Sequence, residues 1–480
     1  MRKIYILITT LFLVILTACN NSSIERKIIN KIIPNKINTN LKLPSVYDDY
    51  ELAYYLNDEL IEDDFLILPY LYNDEEAEII VEFTKGSKST RKTKTIILGK
   101  SKFVNDIYIY VDEEIQHREY IDGSLLVNPI QGVDEEPLKL EIRGRGNSTW
   151  SYEKKPYRIK FNSRQSLLGM KSAKNYVLLA DYGDKSLLRN YFAHTMSKYT
   201  NLDYTLDVRH VRLFLNGEYN GVYLLTEQVE IDKNRLDIPS DVGENGFLLE
   251  LEDFGRLEDS DREGIEYIIV NKRAFLIKGP KLEKLSLEEA LEKSNFAKSY
   301  LQEVMNSLAN ENYTEWIDEE QFIEYFMIQE LVKNVDINFS SVFMHRRPGE
   351  RLKMGPLWDF DITMGNGDYY PYQPSGYWAS NNVFLEKLLE NPLFKENYIN
   401  RFKAFLLDNK DDIENELSEA YNYLYPYAEE NFLRWNTLGR YDWPNPPEMV
   451  AANTYYQQYK YLLKWYQERV EWLLANLDKL

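Results

Sequence analysis

The chain has 480 residues, 44% of them hydrophobic and 14% aromatic, enough apolar surface for more than one core and too much for a disordered or low-complexity protein. Its 57 Lys and Arg stand against 77 Asp and Glu, a net charge of −20, which argues against nucleic acid as a partner because sequence-independent binding to phosphates needs a basic face. A single cysteine excludes an internal disulfide and a cysteine-based zinc site.

The chain opens with a basic Met1-Arg2-Lys3, an apolar run from Ile4 to Leu16, and the small residues Thr17-Ala18 before Cys19. The run is shorter than the about 20 residues of a membrane span and reads as a secretory leader. Cys19 sits where a bacterial lipoprotein leader places its lipid-modified residue. Residues 1–18 are therefore expected to be removed and Cys19 to anchor the protein, outward-facing, in the cell membrane. Residues 19–47, with Arg26, Lys27, Lys31, Lys36 and Lys42 against Glu25, read as a tether.

From residue 48 to residue 128, β-branched and aromatic runs such as Ile79 to Phe83, Lys94 to Leu98 and Ile107 to Val111 alternate with Gly86-Ser87 and Gly99-Lys100, which predicts a small antiparallel β region. Residues 129–480 read as the second domain. Strand patterns continue there through Arg158 to Phe161, Val211 to Leu215, Gly221 to Leu225 and Gly246 to Glu250. Asn216-Gly217 predicts a hairpin turn with positive φ, and one helix is expected from about Lys185 to Tyr199. Beyond Leu285 the periodicity becomes helical: Asp318 precedes Gln321 with capping-box spacing, and Tyr455 to Leu480 repeats apolar residues at helical intervals. The plan is α+β, a β-rich half followed by a helical half.

Four clusters carry chemistry. Arg143-Gly144-Arg145-Gly146-Asn147-Ser148-Thr149-Trp150 has glycines that let backbone amides converge on an anion beside two arginines, although by itself it describes any tight turn. Lys154-Lys155-Pro156-Tyr157-Arg158-Ile159-Lys160 puts Arg158 and Lys160 on one face of a strand. Tyr223 to Glu230 runs from an apolar strand into polar residues, Glu227 among them, at what could be a cleft edge. Asn334-Val335-Asp336-Ile337-Asn338 follows the capped helix, and Gly355-Pro356-Leu357-Trp358-Asp359-Phe360-Asp361 comes after two short strands turning at Pro348-Gly349. On a strand, Asp359 and Asp361 would share a face with Cα atoms about 6.6 Å apart, suited to a hard cation such as Mg²⁺.

These motifs in this order, with Leu168-Gly169-Met170 and Gly183-Asp184-Lys185-Ser186-Leu187-Leu188-Arg189-Asn190, resemble the CotH family, named for a bacterial spore-coat protein. The resemblance implies an atypical protein kinase with a two-lobed, distantly protein-kinase-like core that uses ATP with Mg²⁺ or Mn²⁺ and phosphorylates Ser or Thr of a protein substrate. It implies Asp336 as the catalytic aspartate and Asp359, with Asp361 beside it, as the metal-binding aspartate. Asn338 and Asn366 are candidate second metal ligands. Lys160, with Lys155 as the alternative, would neutralise the nucleotide phosphates, and Arg145 and Glu227 would complete the cofactor site. The competing readings are a non-catalytic surface binding or adhesion protein on the same fold, and a carbohydrate-active hydrolase. Two carboxylates on one strand face flank a glycosidic bond poorly, which disfavours the hydrolase.

Replacing Cys19 by Ala is expected to release the protein from the membrane fraction of intact cells. Retention in that fraction would place the anchor elsewhere.

Overall fold

The computed structural model describes residues 24–37, 41–61, 65–66, 74–99, 104–129, 136–239, 245–257 and 262–480. The leader and Cys19 lie outside the described residues. The chain forms two compact units that meet in sequence at Phe103 and Val104.

In the first unit Ala77, Ile79, Val81 and Phe83 alternate with exposed or half-exposed residues, the signature of a strand with one buried face. That strand (β7, Glu75–Lys85) pairs along its whole length with β8 (Lys88–Leu98) across the Gly86-Ser87 turn, as expected. Its other edge takes β4 (Tyr50–Leu56), which carries β3 (Val46–Tyr47) and β5 (Glu59–Ile61), while β1 (Lys36–Ile37) adds to β8 in parallel. A separate pair joins β2 (Leu41–Lys42) to β6 (Phe65–Leu66).

The tether expectation fails over its described part. Residues 24–32 form a helix (α1), whose Ile28 and Ile29, with Ile33 just beyond it, pack onto Leu52, Val81, Phe83 and Ile96. Four isoleucines at helical spacing between lysines make one apolar stripe, and the sheet face supplies the surface that buries it.

The second unit begins with a closed barrel. Its strands are β9 (Asn105–Val111), β10 (Ile121–Val127), β11 (Leu138–Gly144), β12 (Tyr157–Gln165), β13 (Ala173–Leu179), β14 (Val208–Leu215) and β15 (Glu218–Glu227). They run in the order β10-β11-β12-β13-β15-β14-β9 and close through β9 and β10. The strand expected at Ile107 to Val111 in the first β region is thus a barrel stave, as is β10 beside it, and the division falls near residue 103 rather than at 128. Closure explains it, since a barrel has no free edges and removing β9 and β10 would expose two. The predicted hairpin at Asn216-Gly217 joins β14 to β15, both residues at positive φ.

A five-stranded sheet follows, built of β16 (Phe247–Glu252), β17 (Tyr267–Val270), β18 (Arg273–Gly279), β19 (Val342–Arg346) and β20 (Lys353–Met354) in the order β17-β18-β16-β19-β20. The helices are α2 (Arg189–Ser197), α3 (Leu287–Ser307), α4 (Glu319–Val332), α5 (Val383–Leu388), α6 (Pro392–Arg434), α7 (Pro447–Ala451) and α8 (Tyr455–Asn476). Asp318 caps α4 by accepting from the Gln321 amide, as predicted. Helix α2 starts later than expected because the Asp184 carboxylate takes the amides of Ser186, Leu188 and Arg189 and holds residues 184–188 as a turn. Helix α6 runs 43 residues. Near its end Asn431 Oδ1 accepts from the Val222 amide at 3.0 Å and from Lys154 Nζ at 3.1 Å, pinning helix to barrel. Gly221 (φ +110°) makes this possible, since a Cβ there would lie 2.7 Å from Asn431 Oδ1. Among the described residues no helix is long and apolar enough to cross a membrane.

A chain beginning at Val104 is expected to unfold in one cooperative thermal transition. A chain beginning at residue 129, lacking β9 and β10, should show none in the same circular-dichroism melt.

Candidate active site

A cavity of about 580 Å³ opens in the second unit where the barrel, the five-stranded sheet and the loops after α4 meet. Its lining includes the carboxylates of Asp181, Asp336, Asp359 and Asp361, the glutamates Glu230, Glu250, Glu252 and Glu266, and the cations of Arg143, Arg145, Arg158, Arg256 and Lys278.

Asp336 owes its position to the end of α4. Lys333 leaves the helix in a left-handed conformation (φ +51°), and the chain turns at once into a short 3-10 segment, Val335–Asn338. The Asn334 side chain accepts from the Asp336 amide at 3.0 Å and donates to the Asp359 carbonyl at 3.3 Å, so one buried amide ties both aspartate segments together. Arg256 Nη2 lies 3.7 Å from Asp336 Oδ2. Burial above all, with the Asp359 charge, pushes the Asp336 carboxyl up to about 6 against the pull of Arg256.

The acidic segment is not the strand that the alternation predicted. The strands before it do turn at Pro348-Gly349, with Met344 paired to Met354 and His345 to Lys353, but residues 355–360 are irregular. Asp359 sits at φ +70°, a region that Asp tolerates better than bulky residues. Side chains replace the missing ladder. Ser341 Oγ donates to Asp359 Oδ2 at 2.9 Å, the Phe360 amide donates to Asn190 Oδ1 at 2.8 Å, and Asn366 Nδ2 donates to the Asp361 carbonyl at 2.7 Å. Asn190 also donates to Asp181 Oδ1 at 2.8 Å. Both aspartates still reach the cavity, between the buried rings of Trp358 and Phe360. Asp361 is raised well above the usual carboxylate range by burial and then by the charges of Asp359, Asp336 and Asp181.

The glycine turn forms one wall of the cavity. His117 Nε2 lies 2.6 Å from the Gly146 carbonyl and its ring stacks on Trp150, while the Arg145 guanidinium lies over Trp358, 5.4 Å from the ring centre. Arg145 is therefore beside the acidic segment.

The other assignments do not converge. Lys160 Nζ pairs with Glu141 Oε2 at 2.5 Å on the neighbouring strand and does not line the cavity. Lys155 donates to the Trp150 carbonyl at 2.6 Å and likewise lies off the wall. Glu227 is consumed in the interior, accepting from Tyr204 Oη at 2.6 Å and from the Asp207 amide at 3.0 Å, and the cavity receives Gln228 and Glu230 instead. Asn338 donates to the Trp378 carbonyl at 3.3 Å, and Asn366 serves the Asp361 backbone and Asn445, so neither faces the cavity.

Sequence reasoning missed Asn334, Asn190 and Asp181 as working residues, although Asn190 stood in a quoted motif. That motif also supplies Arg189, whose buried guanidinium pairs with Asp184 and donates to the carbonyls of Thr363 at 3.0 Å and Met364 at 3.2 Å. It holds the loop that follows the acidic segment.

A carboxyl whose folded value is raised contributes stability while protonated and loses it as pH climbs from the unfolded value towards the folded one. For Asp336 that window runs from the ordinary 3.8 to about 6. Asp336→Asn is therefore expected to melt like the wild type near pH 4 and progressively above it by pH 7, a gap read by calorimetry and narrowed by Mg²⁺. An equal offset at both pH values would contradict the assignment.

The sequence matches the family described as CotH kinase protein over residues 142–473. It is also 22% identical over 346 residues to the inner spore coat protein H of Bacillus subtilis (strain 168), an alignment covering 68% of this chain and 87% of that protein. The matched region contains the turn at Arg145, the capping motif around Asp184 and Arg189, and both aspartate segments, and the chain belongs to the CotH family.

Proposed function

We propose that the cavity is the catalytic centre of an atypical protein kinase that transfers the γ-phosphate of ATP to a Ser or Thr hydroxyl of a protein acceptor. The observation that carries the reading is the meeting of Asp336, Asp359, Asp361 and Arg145 in one cavity of a chain from this family.

Phosphoryl transfer asks a protein mainly to position groups and to neutralise charge. Asp336 takes the acceptor hydroxyl's proton. With its carboxyl raised to about 6 it is ionised near neutral pH yet basic enough to accept. Arg256 holds it from one side and the Asn334 turn from below. Asp359 and Asp361 form the donor set for a divalent cation, Mg²⁺ or Mn²⁺, which when bound supplies positive charge to the phosphate oxygens. Among the described residues no three His, Cys, Asp or Glu side chains form a ready metal cage. That accords with Mg²⁺, which commonly takes one or two carboxylates and completes its shell with phosphate and water. Arg145 adds fixed charge at the same wall.

In this reading the barrel and the helical half serve as the two lobes of a distantly kinase-like fold. The protein works at the cell surface, tethered through Cys19. A spore-coat relative supports a surface location.

Asp336→Asn should keep nucleotide binding while losing transfer by on the order of 10²- to 10⁴-fold. Asp359→Asn should lose Mg²⁺-linked nucleotide binding and transfer together. Calorimetry with an ATP analogue and labelled-phosphate incorporation check both. Near wild-type transfer by Asp359→Asn, or no nucleotide binding by the wild type, would favour the non-catalytic surface protein instead.

A further inference from the structure

Arg143 and Arg158 stand directly opposite each other on β11 and β12, and both line the cavity. Like charges in this register repel. Among the described residues neither guanidinium forms an ion pair. Glu230, which attracts Arg158, is itself paired with Arg235 at 2.6 Å, while Glu141, on β11 like Arg143, pairs with Lys160 at 2.5 Å. The Nε atoms of Arg143 and Arg158 are both buried without an acceptor. The ring of Tyr120, 5.1 Å from Arg143, cushions one of them. Burial, with the Arg143 charge adding to it, pulls Arg158 below the usual guanidinium range. A guanidinium does not shed its proton in a protein, so the pair cannot relieve itself by titrating.

Two half-buried guanidinium groups, each with a buried and unpaired Nε, thus face each other across adjacent strands, and an anion is the component that would match them. Arg145 is attracted to Asp359 and Asp361 and repelled by Arg158, so the positive charge continues from the arginine pair to the acidic segment. Lys278, which also lines the cavity, is matched by Glu250 at 2.9 Å, whereas Arg143 and Arg158 have no such partner among the described residues. Guanidinium groups grip phosphate oxygens in bidentate fashion, and two on adjacent strands suit an anion with several oxygens in a row.

We infer that Arg143 and Arg158 form a diphosphate subsite, which takes the inner phosphates of a nucleoside polyphosphate and leaves the terminal phosphate to Arg145 and the acidic segment. The nucleotide part of the inference rests on the phosphoryl-transfer reading of the cavity. The anion subsite itself does not. The arginine pair fills the role that the sequence assigned to Lys160.

The test uses the full chain and its Arg158→Gln, Arg143→Gln and Arg158→Lys variants, with calorimetric titration of inorganic pyrophosphate, ADP and adenosine and a thermal melt without ligand. The wild type should bind pyrophosphate and ADP, each glutamine variant should lose at least tenfold for both, and adenosine affinity should not change. Arg158→Lys, which keeps the charge but not the fork, should fall between. The ligand-free glutamine variants should melt no lower than the wild type, because a repulsion is removed. A structural role would instead lower the melt and leave the relative affinities alone. Pyrophosphate binding that depends on the arginines, in a protein that transfers no phosphate from ATP, would uphold the subsite and defeat the kinase reading. Unchanged affinities in the variants, or no pyrophosphate binding by the wild type, would overturn the inference.

Discussion

Four aspartates share one cavity, and keeping Asp181, Asp336, Asp359 and Asp361 together is the constraint to which the surrounding structure answers. Each is partly open to the cavity and otherwise enclosed, and each charge raises the cost of the next. The protonated forms gain accordingly: Asp181 is raised to about 6 chiefly by burial, as is Asp336. Such an arrangement does not stabilise the fold. It persists because amide side chains tie the segments together, Asn334 through the backbone of Asp336 and Asp359, and Asn190 through the Asp181 carboxylate and the Phe360 amide. Single donors meet the carboxyl oxygens as well, Ser341 Oγ at Asp359 and Asn190 at Asp181.

The same solution recurs outside the cavity. Irregular loops leave backbone carbonyls without a ladder, and each must find a donor or water. Here buried cations provide it. Lys154 donates to Ala180, Arg189 to Thr363 and Met364, Lys333 to Gln373 and Ser375, and Arg469 to Pro374 and Gly376. Arg469 is in turn fully buried against Glu330, whose carboxylate accepts from the Trp378 and Ser380 amides. Residues 363–380 therefore owe their path to contacts with α4 and α8. Removing one partner of such a buried pair leaves an uncompensated charge, typically about 3–5 kcal/mol. The Arg189–Asp184 and Arg469–Glu330 pairs are in this class, both members at or below 1% side-chain exposure.

Lys154, Lys155 and Lys160 are thus structural residues near this site, and on β11 and β12 arginines reach the cavity in their place. Lys154 shows why. Its ammonium is enclosed by the carbonyls of Ala180 and Val222 and by Asn431, and burial pulls it down to about 7. A compact ammonium suits three converging oxygens, whereas a guanidinium keeps its charge under the same desolvation and presents a flat fork to solvent.

Much of this was legible in the residues. The β-rich and then helical order, the Asn216-Gly217 hairpin, the Asp318 cap and the pair of short strands before the acidic segment are local signals, decided by steric preferences within a few positions. Asp359 and Asp361 were marked by apolar neighbours, which make an unmatched carboxylate costly wherever the chain goes, and Asp336 by the family resemblance; all three line one cavity. The closing of the barrel through β9 and β10, the packing of residues 24–37 into the first unit, and the choice of arginines over Lys160 were not legible. Alternation along β12 places Arg158 and Lys160 on the same face but cannot say which of them looks into a cavity and which meets Glu141. That depends on strands and loops more than 80 residues apart in sequence, such as β18 and the acidic segment, coming to stand over one end of the strand and not the other. Local sequence sets backbone preference and cost of burial; only long-range packing decides which charges share a space.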